Sequence, residues 1–332
     1  MAQYGLRHAR AEYSKNRLIE LSNRLTKLRE LEPFRGLTIF AAGSYGRLEA
    51  SKHSDLDLFF FLTGDGKDVE DLRTNTFRVF GRLIDIADDM DFPKFSNDSE
   101  YLQLLNAGAI LSNLGGRIDD QANYFTARML FLLESRCLFG QETFRAVNAQ
   151  IISSYFKDFP DHPRTFQPIF LINDICRFWK TMLLNYEHKR HTAGNPYDEI
   201  KKTKHKVKNF KLKYSRMTTC FASVAALGSF TAPVTEEQVI AITQLTPGER
   251  LESVVERIPK TKSLVDEVLN NYSWFLEVTG LPTEELDAHF SDKEKRTEMF
   301  SKASDYGDAM FRLLQCIDDS DERLRLLRTL VI

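Results

Sequence analysis

Gly43-Ser44-Tyr45-Gly46-Arg47-Leu48-Glu49-Ala50-Ser51-Lys52-His53-Ser54-Asp55-Leu56-Asp57-Leu58 is the stretch on which the reading of this chain turns. It is flanked by two apolar runs. Leu37-Thr-Ile-Phe-Ala-Ala ends at Gly43, and Leu56-Asp-Leu-Phe-Phe-Phe-Leu ends at the turn Thr63-Gly-Asp-Gly. Short apolar runs bounded by glycine turns predict buried strands. In a strand, residues two apart point to one side, so Asp55 and Asp57 project together from the start of the second strand. Two carboxylates held that close repel, and the usual compensation is a divalent cation; oxygen-only ligands suit Mg²⁺ or Mn²⁺. The plainer alternative is a solvated acidic pair at the start of a surface strand.

Gly43-Ser44 follows a strand and opens a turn, where a backbone without Cβ bulk lets N–H groups approach a phosphate. Ten residues separate Ser44 from Asp55, enough for a short helix that returns the chain to the neighbouring strand. A phosphate cradle and a metal dyad then lie side by side at the strand ends, which suits in-line nucleotidyl transfer.

These residues resemble the G-S-x10-D-x-D signature of the DNA polymerase β-like nucleotidyltransferase superfamily. Within it, Gly-Ser-Tyr-Gly-Arg-x-Glu followed by His-Ser-Asp-Leu-Asp is most similar to the bacterial nitrogen-regulatory-protein uridylyltransferase and its relatives. Ala127–Gly140 is similar to the helix those relatives place after the catalytic core. The resemblance covers roughly residues 35–145. It implies a small mixed sheet flanked by helices, Mg²⁺ (or Mn²⁺) dependence, and transfer of NMP from an NTP, ATP among them, to an acceptor with release of pyrophosphate. The acceptor is left open: protein, RNA or small molecule. Asp55 and Asp57 are the implied metal ligands. Gly43 and Ser44 are implied to hold the β- and γ-phosphates, with Arg47 in support. The superfamily's third acid sits on a following strand, and Asp91, opening a strand expected at Met90–Phe95, is the candidate. Asp85, Asp88 and Asp89 read as solvated acids at a helix end.

Outward from the motif, apolar residues at helical spacing predict a helix over His8–Leu31, stopped by Pro33. Further helices are expected over Val69–Ala87, from a start at Ser96 through Leu105, and over Tyr124–Phe139. Beyond Pro160 long amphipathic patterns follow one another: Gln167–Tyr186, Tyr197–Leu227, Glu236–Leu245, Pro247–Arg257, Leu264–Val278 and Lys293–Val331. The expected architecture is α/β (α+β): an N-terminal helix over 1–34, a mixed-sheet nucleotidyltransferase domain over 35–150 and an all-α domain over 160–332. The join falls around Lys157–Arg164.

His188–Arg216 holds ten Lys and Arg against Asp198 and Glu199. Lys204, Lys208 and Lys211 recur on one helical face, while Val207, Phe210, Tyr214 and Met217 cover another. In nucleotidyltransferases with a helical second domain such a face can clamp a triphosphate, which makes Lys208 and Lys211 candidate nucleotide ligands. A solvated face and a nucleic-acid groove are the alternatives. Asp174, Arg177 and Trp179 read as core and ion-pair residues of a helix. His188, His191 and His205 sit among lysines that would repel a metal ion. His53, beside the dyad, is a loop-orienting candidate.

The 332 residues carry 45 Lys+Arg and 47 Asp+Glu, a net charge of −2, with 42% hydrophobic and 28% charged residues. Such values exclude wholesale disorder and a broadly basic nucleic-acid coat. Cys137, Cys176, Cys220 and Cys316 are dispersed, which predicts reduced thiols rather than a disulfide framework or zinc ribbon. The polar N-terminus predicts no signal peptide and no apolar run reaches spanning length, so a cytoplasmic enzyme with no membrane partner is expected. The rival within the same fold is a catalytically silent nucleotide-binding regulator, as in a toxin–antitoxin or defence pair.

Overall fold

A computed structural model of the chain describes residues 2–64, 69, 71–95, 102–192, 199–320 and 326–331. Helices and one small mixed sheet make the class α+β. The chain divides into two compact units: Arg7–Lys157, and Asp158–Ile332 with the first six residues.

The first unit begins in α1 (Ala2–Leu25), where Ser14, Leu18, Leu21 and Leu25 are buried at intervals of four, three and four. That spacing makes one inward face. Ile19, beside it in sequence, points out to solvent. The sheet follows, with β1 (Leu37–Ala42) and β2 (Asp57–Leu62) joined through α2, a single turn at Gly43–Gly46. After α3 (Arg73–Asp89) come β3 (Leu104–Asn106), α4 (Ala107–Ser112), α5 (Arg117–Gln121) and α6 (Tyr124–Glu134). β4 (Arg136–Phe139) and α7 (Gln141–Ser154) complete the unit.

Strand order is β3-β2-β1-β4. β1 pairs antiparallel with both β2 and β4, while β3 lies parallel to β2, as a crossover through α3 permits. Every residue of β1 is buried, because both faces of the sheet are covered. On one face Leu37, Ile39, Ala41, Leu58, Phe60 and Leu62 share a core with α1 and with Val79, Leu83 and Ile86 of α3. On the other, Phe40 meets Phe59 in a stack at 5.6 Å, with Phe61 and Phe131 of α6 both edge-on at 4.9 Å.

Three expectations need correction here. Met90–Phe95 is not a strand. Met90 caps α3, Asp91 turns left-handed (φ +53°), and Phe92 N–H returns to Ala87 O at 3.0 Å. With Asp91 N–H on Asp88 O (3.0 Å), this is a Schellman ending, and Asp is among the few residues that tolerate its left-handed position. The third strand is Leu104–Asn106, where a helix was expected. The helix expected to reach Phe139 stops at Glu134, since the edge of β1 captures the next four residues as β4. The helix start expected at Ser96 lies outside the described residues.

Among its described residues the second unit contains helices and no strand. They are α8 (Ile169–Thr192), α9 (Glu199–Lys211), α10 (Met217–Gly228), α11 (Glu236–Gln244), α12 (Pro247–Arg257), α13 (Lys262–Val278), α14 (Thr283–Ser291), α15 (Lys293–Asp318) and α16 (Leu326–Val331). A π-helical turn, Leu212–Arg216, joins α9 to α10, so the single helix expected over 197–227 is interrupted. α14 was not legible as a separate helix, and the last long helix ends at Asp318 rather than Val331. Thr246 and Glu249 form the capping box their spacing predicts, and Thr235 with Gln238 form a second. Tyr214 stacks on Phe275 at 4.8 Å and on Tyr306 at 4.5 Å in the core of this unit. All four cysteines are free thiols. Among the described residues no helix is long and apolar enough to cross a membrane.

Candidate active site

Ala42 and Asp57 are direct partners across β1 and β2, so the residue after Ala42 emerges beside the Asp57 side chain. That residue is Gly43, left-handed at φ +63°. A β-carbon built on it would collide with Asp57 Oδ2. Glycine is therefore required twice, for the backbone conformation and for the close approach of a carboxylate. Gly43 is buried, Ser44 and Asp57 are half-buried, and Asp55 is exposed. The alternation of β2 puts Asp57 on the same face as Phe59 and Phe61, so the carboxylate sits at the rim of the aromatic layer.

The turn itself is tightly determined. Arg47 N–H bonds Gly43 O (3.0 Å), Leu48 N–H bonds Tyr45 O (3.1 Å) and Glu49 N–H bonds Ser44 O (2.8 Å). This is again a Schellman ending, with Leu48 at the left-handed position (φ +60°). Leucine is poorly suited to that conformation, at a cost of about 1–2 kcal/mol. Its side chain is buried in the core, which offsets the strain. Gly46 lies against the carbonyl of Glu134, leaving no room for a β-carbon.

Arg47 is buried, and its guanidinium reaches two carboxylates: Nε donates to Glu49 Oε2 at 2.7 Å and Nη1 to Glu134 Oε2 at 2.5 Å. The pair with Glu134 ties the turn to the C-terminal end of α6. Arg47 thus braces the loop through protein carboxylates. From the other side α1 holds the loop: Ser14 Oγ accepts Ala50 N–H at 3.0 Å and donates to Arg10 O at 2.7 Å. Tyr45 is buried, hydrogen-bonded by Tyr13 and Arg17, and edge-on to Phe92 at 5.4 Å. Burial, foremost, pushes its phenol well above the usual range. Arg17 also donates to Met90 O and lies over the Phe92 ring at 4.2 Å, so α1 links the motif to the end of α3.

The other candidates fall as follows. Asp91 is exposed on the turn that ends α3 and lies on no strand. Among the described residues no three His, Cys, Asp or Glu side chains gather as a metal set. Among the described residues the buried Nε2 of His53 has no hydrogen-bond partner, while its backbone N–H donates to Ser51 Oγ at 3.2 Å. Lys204, Lys208 and Lys211 are exposed along one face of α9, with Val207 and Phe210 buried on the other. Asp174 is buried and paired with Arg177 at 3.3 Å, and Trp179 packs edge-on to Phe221 at 5.9 Å. His191 lies 3.6 Å from Glu187 on the same helix.

Two residues went unnoticed in the sequence, Glu134 and Arg128. Both are charges inside the apolar run of α6, and each marks a buried ion pair. Arg128 grips Asp119 through two hydrogen bonds (2.8 and 2.7 Å) with both side chains fully buried. A charge interrupting an otherwise apolar helix is the signal that would have found them. Compared with family models, curated proteins and solved structures, the chain matches none.

Proposed function

We propose that the Arg7–Lys157 unit is a divalent-cation-dependent nucleotidyltransferase that moves NMP from an NTP to an acceptor with release of pyrophosphate. The observation that carries the reading is the seat of Gly43 on the Asp57 carboxylate. It brings the glycine–serine turn and the second acid of the G-S-x10-D-x-D motif together at adjoining strand ends. The residues fit a magnesium ion: Mg²⁺ commonly takes one or two protein carboxylates and completes its shell with water and substrate phosphates. Asp55 and Asp57 are the two carboxylates. When bound there, the ion would neutralise phosphate charge and acidify the attacking hydroxyl.

The chain's own groups supply positioning. Backbone N–H groups of the Gly43–Ser44 turn bind phosphate oxygens of the leaving pyrophosphate, and the Ser44 hydroxyl adds a donor. Arg47, Glu49 and Glu134 keep that turn at one height relative to Asp57, so the α-phosphorus and the acceptor oxygen line up for displacement. Bond making joins the acceptor oxygen to the α-phosphorus, and the bond that breaks is the one to the bridging oxygen of pyrophosphate. The proton of the acceptor hydroxyl is released to solvent water. Dispersed free thiols and NTP consumption fit a reducing, nucleotide-rich cytoplasm.

Incubation of the full chain with each α-³²P NTP and Mg²⁺ in cell lysate tests this. Label transferred to protein, RNA or a small molecule supports the reading and identifies the acceptor. Absence of transfer from all four nucleotides, with no Mg²⁺-dependent nucleotide binding, refutes it.

A further inference from the structure

A pocket of about 350 Å³ opens in the helical unit where α9 packs beside α14 and the start of α15. Its lining is Ile200, Thr203 and Lys206 from α9, Asp287 and Ser291 from α14, and Arg296 from α15. The size lies at the low end of the ~300–1,000 Å³ range of small-ligand sites.

Two of its charged side chains, Asp287 and Arg296, carry opposite signs and do not pair with each other. Among the described residues the Asp287 carboxylate makes no hydrogen bond or ion pair. Arg296 uses only Nη1, which donates to Phe290 O at 3.0 Å and Ser291 O at 3.4 Å. Its Nε and Nη2 make no hydrogen bond among the described residues. Asp287 and Arg296 thus share one pocket without forming an ion pair. Both are half-buried, where screening by salt is weaker than at an open surface. Thr203 and Ser291 bring their hydroxyls within 3.4 Å of each other on the wall.

We propose that this pocket binds a small zwitterion of the α-amino-acid type. A simple anion would meet Asp287, and a simple amine would meet Arg296. A zwitterion satisfies both signs. Its ammonium lies on Asp287, its carboxylate on Arg296 with the two hydroxyls adding polar contacts, and its side chain runs along Ile200. The pocket lies wholly within the helical unit, so this proposal stands apart from nucleotidyl transfer at the motif of the other unit.

The test screens the twenty standard amino acids singly against the full chain by thermal shift, with calorimetry on any that stabilise it. At least one is expected to raise Tm saturably. Its amide and its N-acetyl derivative, each lacking one charge, should bind about tenfold more weakly or worse. Asp287→Asn and Arg296→Gln should abolish the shift. Arg296 also holds the end of α14, so Asp287→Asn, which keeps size and shape, is the decisive variant if Arg296→Gln melts early. No shift from any of the twenty overturns the proposal, as does a shift that survives Asp287→Asn. A shift given equally by inorganic phosphate overturns it in favour of a simple anion site.

Discussion

Gly43 and Asp57 touch: the α-carbon of the one faces the carboxylate of the other so closely that a methyl group on Gly43 would collide with Oδ2. Gly43→Ala therefore combines a left-handed alanine with a displaced carboxylate. The backbone term alone costs about 1–2 kcal/mol. On the proposed reading, nucleotide affinity falls further than stability does, because the methyl group displaces the Asp57 carboxylate. Parallel melting and Mg²⁺·NTP titrations separate the two effects. An alanine variant that binds nucleotide like the parent would remove Gly43 from the site.

Arg47 should be the most sensitive residue of the loop. Removing one partner of a buried ion pair leaves the other charge unpaired and costs about 3–5 kcal/mol. Arg47→Met takes the buried guanidinium away from both Glu49 and Glu134 and is expected to lower Tm strongly. Glu134→Gln keeps an oxygen acceptor beside Nη1, so it should be milder, with the remaining pair to Glu49 intact. Chemical denaturation of the single and double variants gives the coupling directly. A double variant as destabilised as the sum of the singles would show that Arg47 and Glu134 do not act as a pair.

Burial sets an alkaline limit to stability. It pushes the Cys176 thiol from 9.0 up to about 11 and raises the fully buried Cys220 as well. Below pH 9 both states are protonated and the contribution is intact. As pH rises from 9 towards 11 the unfolded chain ionises first, and stability is lost at up to about 1.4 kcal/mol per pH unit per thiol. Cys176→Ala should flatten that decline in urea unfolding measured across the window. An unchanged slope would mean that Cys176 ionises equally in both states. At neutral pH a disulfide reagent should label the half-buried Cys137 and Cys316 before the two buried thiols.

Strands β1 and β2 were readable because each is an apolar run with a glycine turn at its end; β2 opens at Asp57, and Asp55, expected on the same strand, lies in the loop before it. β3 and β4 carry no such mark. Three and four residues long, they are strands only because the edges of β2 and β1 offer partners, which is a tertiary fact. Asp91 misled for a related reason: Asp-Phe-Pro after a helix reads as a strand opening, yet the same aspartate suits the left-handed residue of a Schellman ending. The brace was half visible. Arg47 and Glu49 stand in the motif, but Glu134 lies 87 residues further on, and no local pattern connects them.

Asp55→Asn with Asp57→Asn is the direct examination of the dyad. Asp55 is exposed in the loop before β2, and Asp57, half-buried, opens the strand. Replacing both carboxylates with amides of the same shape removes two like charges from one strand end, so the fold should survive with a melting temperature close to the parent's. The expected loss is functional: Mg²⁺-dependent nucleotide binding and transfer of α-label both disappear, and excess Mn²⁺ does not restore them. EDTA should do the same to the parent, reversibly on adding Mg²⁺. Transfer that persists in the double variant, or in EDTA, would show that the reaction runs without these two carboxylates. The Gly43–Asp57 contact would then be a packing device of the sheet and nothing more.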